Sequence, residues 1–386
     1  MPAYPTYKLS EIAHSTKGKK PKSVSKEKTD GFEIPYVDIK AFEKGIVDNY
    51  TDGENCTFCK PDDVLIVWDG ARCGFVGRGV EGAIGSTLAK ICSDKYTNDF
   101  LFYFLQSKYK VLNSNPRGVG IPHIEPNLLW NFEIPDVDKT TQHAIVTRIE
   151  SLFAELDKAV QHLRTAQQQL KTYRQAVLKD AFEGCENAEK HLFGELMADV
   201  RNGYGAKPTN CGTNKLLRIS SVRAMNLNLD DFRFNNSSFD ERDIIQENDL
   251  LFTRYNGSVD LVGVCAYVPE LYDTYAYPDK IIRCRPKVCN TFHSKFLQYY
   301  INQGKAREFV RSKIKTTSGQ NGISGSDIKK IEIPLPPLTE QQRIVKEIES
   351  RLSQATASET YIENALQQAE ALRQSILKKA FSGELV

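Results

Sequence analysis

The feature that most constrains this chain is a long stretch of text that occurs twice. Glu133-Ile134-Pro135 returns as Glu332-Ile333-Pro334, and the two copies align without a gap as far as Gly184 and Gly383, a period of 199 residues. Of the 52 aligned positions 20 are identical, including Gln142/Gln341, Ile149-Glu150-Ser151/Ile348-Glu349-Ser350, Arg174-Gln175/Arg373-Gln374 and Ala181-Phe182/Ala380-Phe381. So long a period excludes a solenoid, whose repeats run about 20–50 residues. It describes a duplicated unit.

Each copy is patterned as one long helix. Pro336-Pro337 must precede the helix rather than sit inside it. Thr339, with Gln342 three residues on, fits a capping box, and Thr140 is the matching cap in the first copy. Gly184 and Gly383 stand where the helices should stop. The intervening run of about 40 residues lacks Pro and Gly, so at about 1.5 Å per residue it predicts a rod of roughly 60 Å. The first rod spaces Ile145, Ile149, Leu152, Leu156, Ala159, Leu163, Ala166, Leu170, Tyr173 and Val177 alternately four and three apart, a coiled-coil seam. The second places Ile344, Ile348, Arg351, Ala355, Ser358, Ile362, Ala365, Ala369, Leu372 and Ile376 there. Large residues in one seam against small ones in the other predict two rods packed on each other. Separate amphipathic helices, each on its own domain, are the alternative.

The remaining text is rich in Gly, aromatic and β-branched residues, with short strand-like runs at Val64–Val67 and Leu250–Thr253. It predicts two α+β globules with a weak shared skeleton. Lys8-Leu9-Ser10-Glu11-Ile12 parallels Leu192-Phe193-Gly194-Glu195-Leu196, Asp63-Val64 parallels Asp249-Leu250, and Gly120-Ile121 parallels Gly322-Ile323. The expected organisation is a globule over 1–136, a helix over 137–184, a second globule over 185–335 and a second helix over 336–386.

Composition narrows the class. A chain of 386 residues with 40% apolar content has room for two ordinary cores. Its nine cysteines are an odd number, and the first 20 residues contain no apolar h-region, so reduced thiols and a cytoplasmic location are expected. No apolar run approaches the roughly 20 residues of a membrane helix. The net charge is only +2, so any nucleic-acid signal must be local. Local it is: Lys17, Lys19, Lys20 and Lys22 cluster in the first globule, Arg201 and Lys207 at the corresponding place in the second, and Lys313 and Lys315 later. Basic loops carrying Tyr204 and amide side chains suit phosphate contact and base reading; ordinary solvated charge is the plainer account.

Several apparent motifs fail on context. Phe75-Val76-Gly77-Arg78-Gly79-Val80-Glu81-Gly82 resembles a nucleotide or adenosylmethionine loop, but no helix follows it; a turn between strands is expected. No phosphate-binding Gly-x4-Gly-Lys-Ser/Thr loop and no Asn/Asp-Pro-Pro-aromatic methylation signature occur. Cys56-x-x-Cys59 lacks a second ligand pair for zinc. No catalytic constellation stands out, so no catalytic or metal site is expected.

Two dissimilar globules, each followed by a similar helix that begins near Pro336-Pro337-Leu338-Thr339-Glu340-Gln341-Gln342-Arg343-Ile344-Val345 and ends Lys378-Lys379-Ala380-Phe381-Ser382-Gly383, resemble the specificity subunit of type I DNA restriction-modification systems. The resemblance spans the chain; Asp136-Val137-Asp138-Lys139 departs from it in the first copy. It implies two target recognition domains, separated by two long antiparallel helices forming a coiled coil with a pseudo-two-fold internal repeat. Each domain would read half of a split site on double-stranded DNA, with the helices setting the gap. Two methyltransferase subunits would dock on the chain, and restriction subunits would join. Adenosylmethionine and ATP would then be bound by those partners and not by this chain, which would itself be non-catalytic. Self-association is open to the free chain. A stand-alone DNA methyltransferase and a protein-binding coiled-coil scaffold are the rival readings.

Loop residues are the candidates for DNA contact. In the first globule they are Lys17, Lys19, Lys20, Lys22, Trp68, Arg72, Arg78, Arg117 and His123. In the second they are Arg201, Tyr204, Lys207, Arg254, Tyr255, Asn256, Lys313, Lys315, Gln320 and Asn321. Arg254 and Asn256 are the sharpest, because Arg and Asn suit bidentate guanine and adenine contacts.

Overall fold

The computed structural model describes residues 4–118, 120–205, 209, 211–236, 239–288, 291–317 and 319–385. The chain divides into two compact units, Met1–Arg164 with Glu363–Val386, and Thr165–Ile362. The division falls inside both long helices. Each unit therefore holds one globule, one end of its own helix and the opposite end of the other.

In the first unit the central strand Val64–Val67 explains why its sequence is apolar throughout. Side chains alternate across a strand, and here both faces are covered. Val64 and Ile66 enter a core with Phe100, Phe104 and Leu105, while Leu65 and Val67 enter another with Val37, Ile84 and Leu88. The strand lies in a four-stranded antiparallel sheet ordered His14–Lys17, Leu88–Cys92, Val64–Val67, Val76–Arg78. A second, five-stranded sheet contains Gly82–Ile84, so Gly79-Val80-Glu81 is the expected turn between strands. Helix Asn98–Ser114, capped by Thr97 Oγ1 on the Phe100 amide, covers the first core.

The second unit repeats the plan. Its four-stranded sheet is ordered Met197–Asn202, Ile281–Pro286, Leu250–Thr253, Cys265–Tyr267. Leu250 and Phe252 face one core and Leu251 another. The covering helix is split here into Ser294–Ile301 and Gly304–Ser312. Each globule is closed by the same short pairing, Thr6–Lys8 with Glu133–Pro135 and Lys190–Leu192 with Glu332–Pro334. The parallel read at Glu11 and Glu195 is structural: each carboxylate accepts from a backbone amide three residues earlier, Lys8 at 3.1 Å and Leu192 at 3.0 Å.

The long helices span Lys139–Ala181, 43 residues, and Leu338–Ser382, 45 residues. Gly184 and Gly383 follow them with φ of 91° and 80°, a backbone that suits glycine. The starts differ from the expected Thr caps. The helices begin one residue before Thr140 and Thr339, and in the first copy Asp138 caps instead, its Oδ1 accepting from Thr141 N at 2.7 Å. Gln142 and Gln341 are fully buried. Gln142 accepts from Thr97 N at 2.9 Å and donates to Val137 O at 3.0 Å. Gln341 accepts from His293 N at 2.9 Å and donates to Pro336 O at 2.8 Å. Each glutamine therefore fastens a long helix to its own globule.

The helices run antiparallel. In the first unit Ile145, Ile149 and Phe153 share a core with Ile376, Leu377 and Ala380. In the second, Leu178 and Phe182 share one with Ile344, Val345 and Ile348. The seam is buried there and at Ala355 and Ile362, and half-buried at Leu156, Leu163, Leu170 and Ala365, whereas Ala159, Tyr173, Ser358 and Leu372, expected within it, are exposed. Long polar side chains also link the helices: Arg174 with Glu359 in one unit, Arg373 with Asp157 in the other.

Candidate nucleic-acid interface

In each unit the central strand runs into a loop that is gripped by a β-hairpin from just before the shared Glu-Ile-Pro text. Ile124 N donates to Trp68 O at 2.9 Å, and Ile323 N donates to Arg254 O at 3.0 Å. The hairpins are Arg117 bridged to His123, and Lys315–Thr317 paired with Gln320–Gly322. This pairs Ile124, not Ile121, with Ile323, correcting the glycine-isoleucine parallel. Ile121 is 63% exposed, whereas Ile124 and Ile323 are 1% and 5% exposed, so burial fixes the register.

In the first unit this geometry gathers Lys17, Trp68, Asp69, Arg117 and His123 around a cleft of about 330 Å³. Asp69 was not singled out from sequence. Its Oδ2 meets Lys17 Nζ at 2.8 Å and its Oδ1 meets His123 Nδ1 at 2.6 Å. Burial works to raise the Asp69 carboxyl, but hydrogen bonds and charge from Lys17 and His123 outweigh it and hold the group below the ordinary carboxylate range. The other candidates are placed elsewhere. Lys19 and Lys20 are exposed on the loop beyond Lys17, and Lys22 makes only a 4.0 Å contact with Glu54. Arg72 pairs with Glu43 at 2.6 Å and lies 4.2 Å from the Phe75 ring; Arg78 pairs with Asp99 and stacks on Phe102.

In the second unit Tyr255–Asn256 pairs with Gln320–Gly322, bringing Arg254, Tyr255, Asn256, Lys315, Gln320 and Asn321 onto one small sheet and its approach. The Arg254 guanidinium lies 4.7 Å from the Tyr255 ring and donates to Asp279 O at 3.3 Å. Tyr204 joins this end, since its carbonyl accepts from Asp279 N at 3.2 Å, and its ring is 48% exposed. Asn256 Oδ1 accepts from Ser258 N at 3.0 Å. Asn321 is buried and serves the loop: it donates to Gly257 O at 3.0 Å and accepts from Thr316 at 2.7 Å. Lys313 caps helix Gly304–Ser312 with its ammonium over Phe309. Lys207 lies outside the described residues.

Arg201 faces a different environment. It binds Asp199 through Nε at 2.6 Å, and Asp199 also pairs with Arg283, which is 1% exposed. Arg283 and Arg285 both approach Asp249, Arg285 with two contacts of 2.9 Å. This ionic network lies inside the sheet. The alternation Arg283-x-Arg285 was its one visible trace in sequence. Among the described residues no group of three His, Cys, Asp or Glu side chains is placed to hold a metal ion, and no helix is long and apolar enough to cross a membrane.

Residues 3–163 and 233–368 match the family model described as the type I restriction modification DNA specificity domain. The chain belongs to that family. It is 34% identical over 350 residues to the EcoKI specificity subunit of Escherichia coli K12, covering 84% of this chain and 75% of that one. It is 30% identical over 349 residues to the StySPI specificity subunit of Salmonella potsdam, at the same coverage of 84% and 75%. Among solved structures, a chain from work on assembly and conformational transition of the type I R-M system superposes with a TM-score of 0.75 at 19% identity, covering 100% of this chain and 99% of that one. The HsdS subunit from Thermoanaerobacter tengcongensis gives 0.58 at 19% identity, covering 100% and 98%. These two likenesses support the specificity-subunit fold. The duplicated globule and helix seen here are that fold.

Proposed function

We propose that this chain is the DNA-reading subunit of a type I restriction-modification complex. Each unit reads one half of a split site, and the chain carries methyltransferase and restriction subunits without itself catalysing a reaction. One observation supports this above the others. The two units build the same loop-and-hairpin end with matching backbone hydrogen bonds, yet build it from different residues: Trp68, Asp69, Arg117 and His123 in one, Arg254, Tyr255, Lys315 and Gly322 in the other. Repeated scaffolds with unlike residues suit two readers of unlike half-sites. Adenosylmethionine and ATP chemistry falls to the partners, and the modified base is flipped out of the duplex to reach the methyltransferase.

The test is co-expression with the cognate methyltransferase, followed by mapping of methylated adenines across the host genome. A split motif is expected. Arg254→Ala should relax or abolish one half only, by about tenfold or more for a lost bidentate contact. Equal loss at both halves, or an unsplit motif, would overturn the two-reader assignment.

A further inference from the structure

Asp69 raises a question that the two-reader model does not answer. A carboxylate lining a DNA-facing cleft repels phosphates. Each of its oxygens already has a partner, Lys17 on one and His123 on the other. Its side chain is 17% exposed, while those of Lys17 and His123 are 48% and 45% exposed. The least exposed of the three therefore tethers two outward-facing partners. The tethers cross the fold: Lys17 ends an edge strand of the sheet, Asp69 follows the central strand, and His123 closes the hairpin.

The tether also sets the chemistry of the imidazole. A carboxylate only accepts hydrogen bonds, so Nδ1 carries the proton and Nε2 is the ring nitrogen left to meet DNA. Gly118, at φ 98°, keeps that side of the ring open; a Cβ there would come within 3.3 Å of His123 Cδ2. The corresponding hairpin position in the second unit is Gly322, so no equivalent reading group exists there.

We infer that Asp69 is a positioning residue for the first half-site, holding Lys17 and His123 so that His123 Nε2 is a specificity-determining contact. This rests on the chain being a DNA specificity subunit.

Asp69→Asn, Asp69→Glu and His123→Ala, each in the full chain co-expressed with the methyltransferase, test it by motif mapping, with thermal melting of the purified chain as a control. His123→Ala should relax one position of one half-motif by about tenfold. Asp69→Asn should relax that same position, Asp69→Glu should restore much of it, and the other half-motif and the melting temperature should stay as in the parent. An unchanged motif in Asp69→Asn overturns the positioning role. So does loss of a whole half-motif together with a lowered melting temperature, which would make Asp69 a structural residue. An unchanged motif in His123→Ala overturns the specificity contact. If the parent chain yields no split motif at all, the functional assignment fails, and not the clamp.

Discussion

The two reading ends share their backbone and almost none of their side-chain chemistry. Trp68 and Arg254 occupy one place, each with its carbonyl bound by the isoleucine amide of the hairpin. Asp69 and Tyr255 follow, and His123 in one hairpin corresponds to Gly322 in the other. What stays constant is the apolar central strand, the hairpin bonds and the closing Glu-Ile-Pro strand, all of which act through main chain and core. A scaffold held this way leaves the exposed positions free to differ, and a duplicated chain can then present two unlike surfaces on one frame.

The same comparison can be made in the interior, where the units differ in how they hold their central strand. Asp63 and Asp249 stand at equivalent places, and each binds a backbone amide three residues earlier at 2.8 Å. Asp63 otherwise meets only Lys90, at 3.4 Å and partly exposed. Asp249 is 1% exposed and anchors Arg283 and Arg285. Asp249→Ala should therefore destabilise the second unit by about 3–5 kcal/mol, because it strands buried guanidinium groups. Asp63→Ala should cost about 1 kcal/mol. Urea unfolding of the purified variants measures both. Similar losses would mean that the network is spectator charge, and adding Arg283→Met to Asp249→Ala should recover part of the larger loss.

The next comparison expects equality. Gln142 and Gln341 make matching bonds from fully buried amides. Gln142→Ala and Gln341→Ala should each cost about 2–3 kcal/mol by leaving buried backbone groups unpaired. A difference larger than about 1.5 kcal/mol, one typical hydrogen bond, would show that the helix junctions are not equivalent. Hydrogen exchange at the Thr97 and His293 amides, which those glutamines protect, gives the local readout.

How far these features could be read from sequence follows from their range along the chain. The repeat, the long helices and their stopping glycines are local patterns, and they stand where expected. So does the continuous apolar strand Val64–Val67, although its two-sided burial needed the sheets to be seen. Arg254, Tyr255 and Asn256 were visible because a Gly-bearing loop follows a strand. Their union with Lys315 and Gln320 spans about 60 residues of chain and has no local signature. Asp69 and His123 are likewise 54 residues apart, so Asp69 looked like an ordinary loop acid. Thr140 and Thr339 misled because cap preference is weak beside Asp138 and the prolines, which start the helices earlier. Ala159, Tyr173, Ser358 and Leu372 were read into the seam because a heptad pattern shows which residues could face a partner. It does not show how closely the partner comes.

The polar links between the helices set up the smallest contrast. Arg174 and Arg373 are equivalent, and each reaches the same repeat position on the other helix: Thr356 for one, Asp157 for the other. Arg174 adds Glu359 at 3.0 Å, whereas Arg373 also lies 4.2 Å from the Phe153 ring. Both pairs are partly exposed, so Coulomb attraction is screened and side-chain ordering offsets much of it. The stacked ring contributes a part that salt does not screen. Arg174→Ala should then cost at most about 0.5 kcal/mol and vanish in high salt. Arg373→Ala should cost about 1 kcal/mol and keep most of it. Urea unfolding at low and high salt separates the two. Equal salt sensitivity would mean that the ring contact contributes nothing, and that both links are held by charge alone.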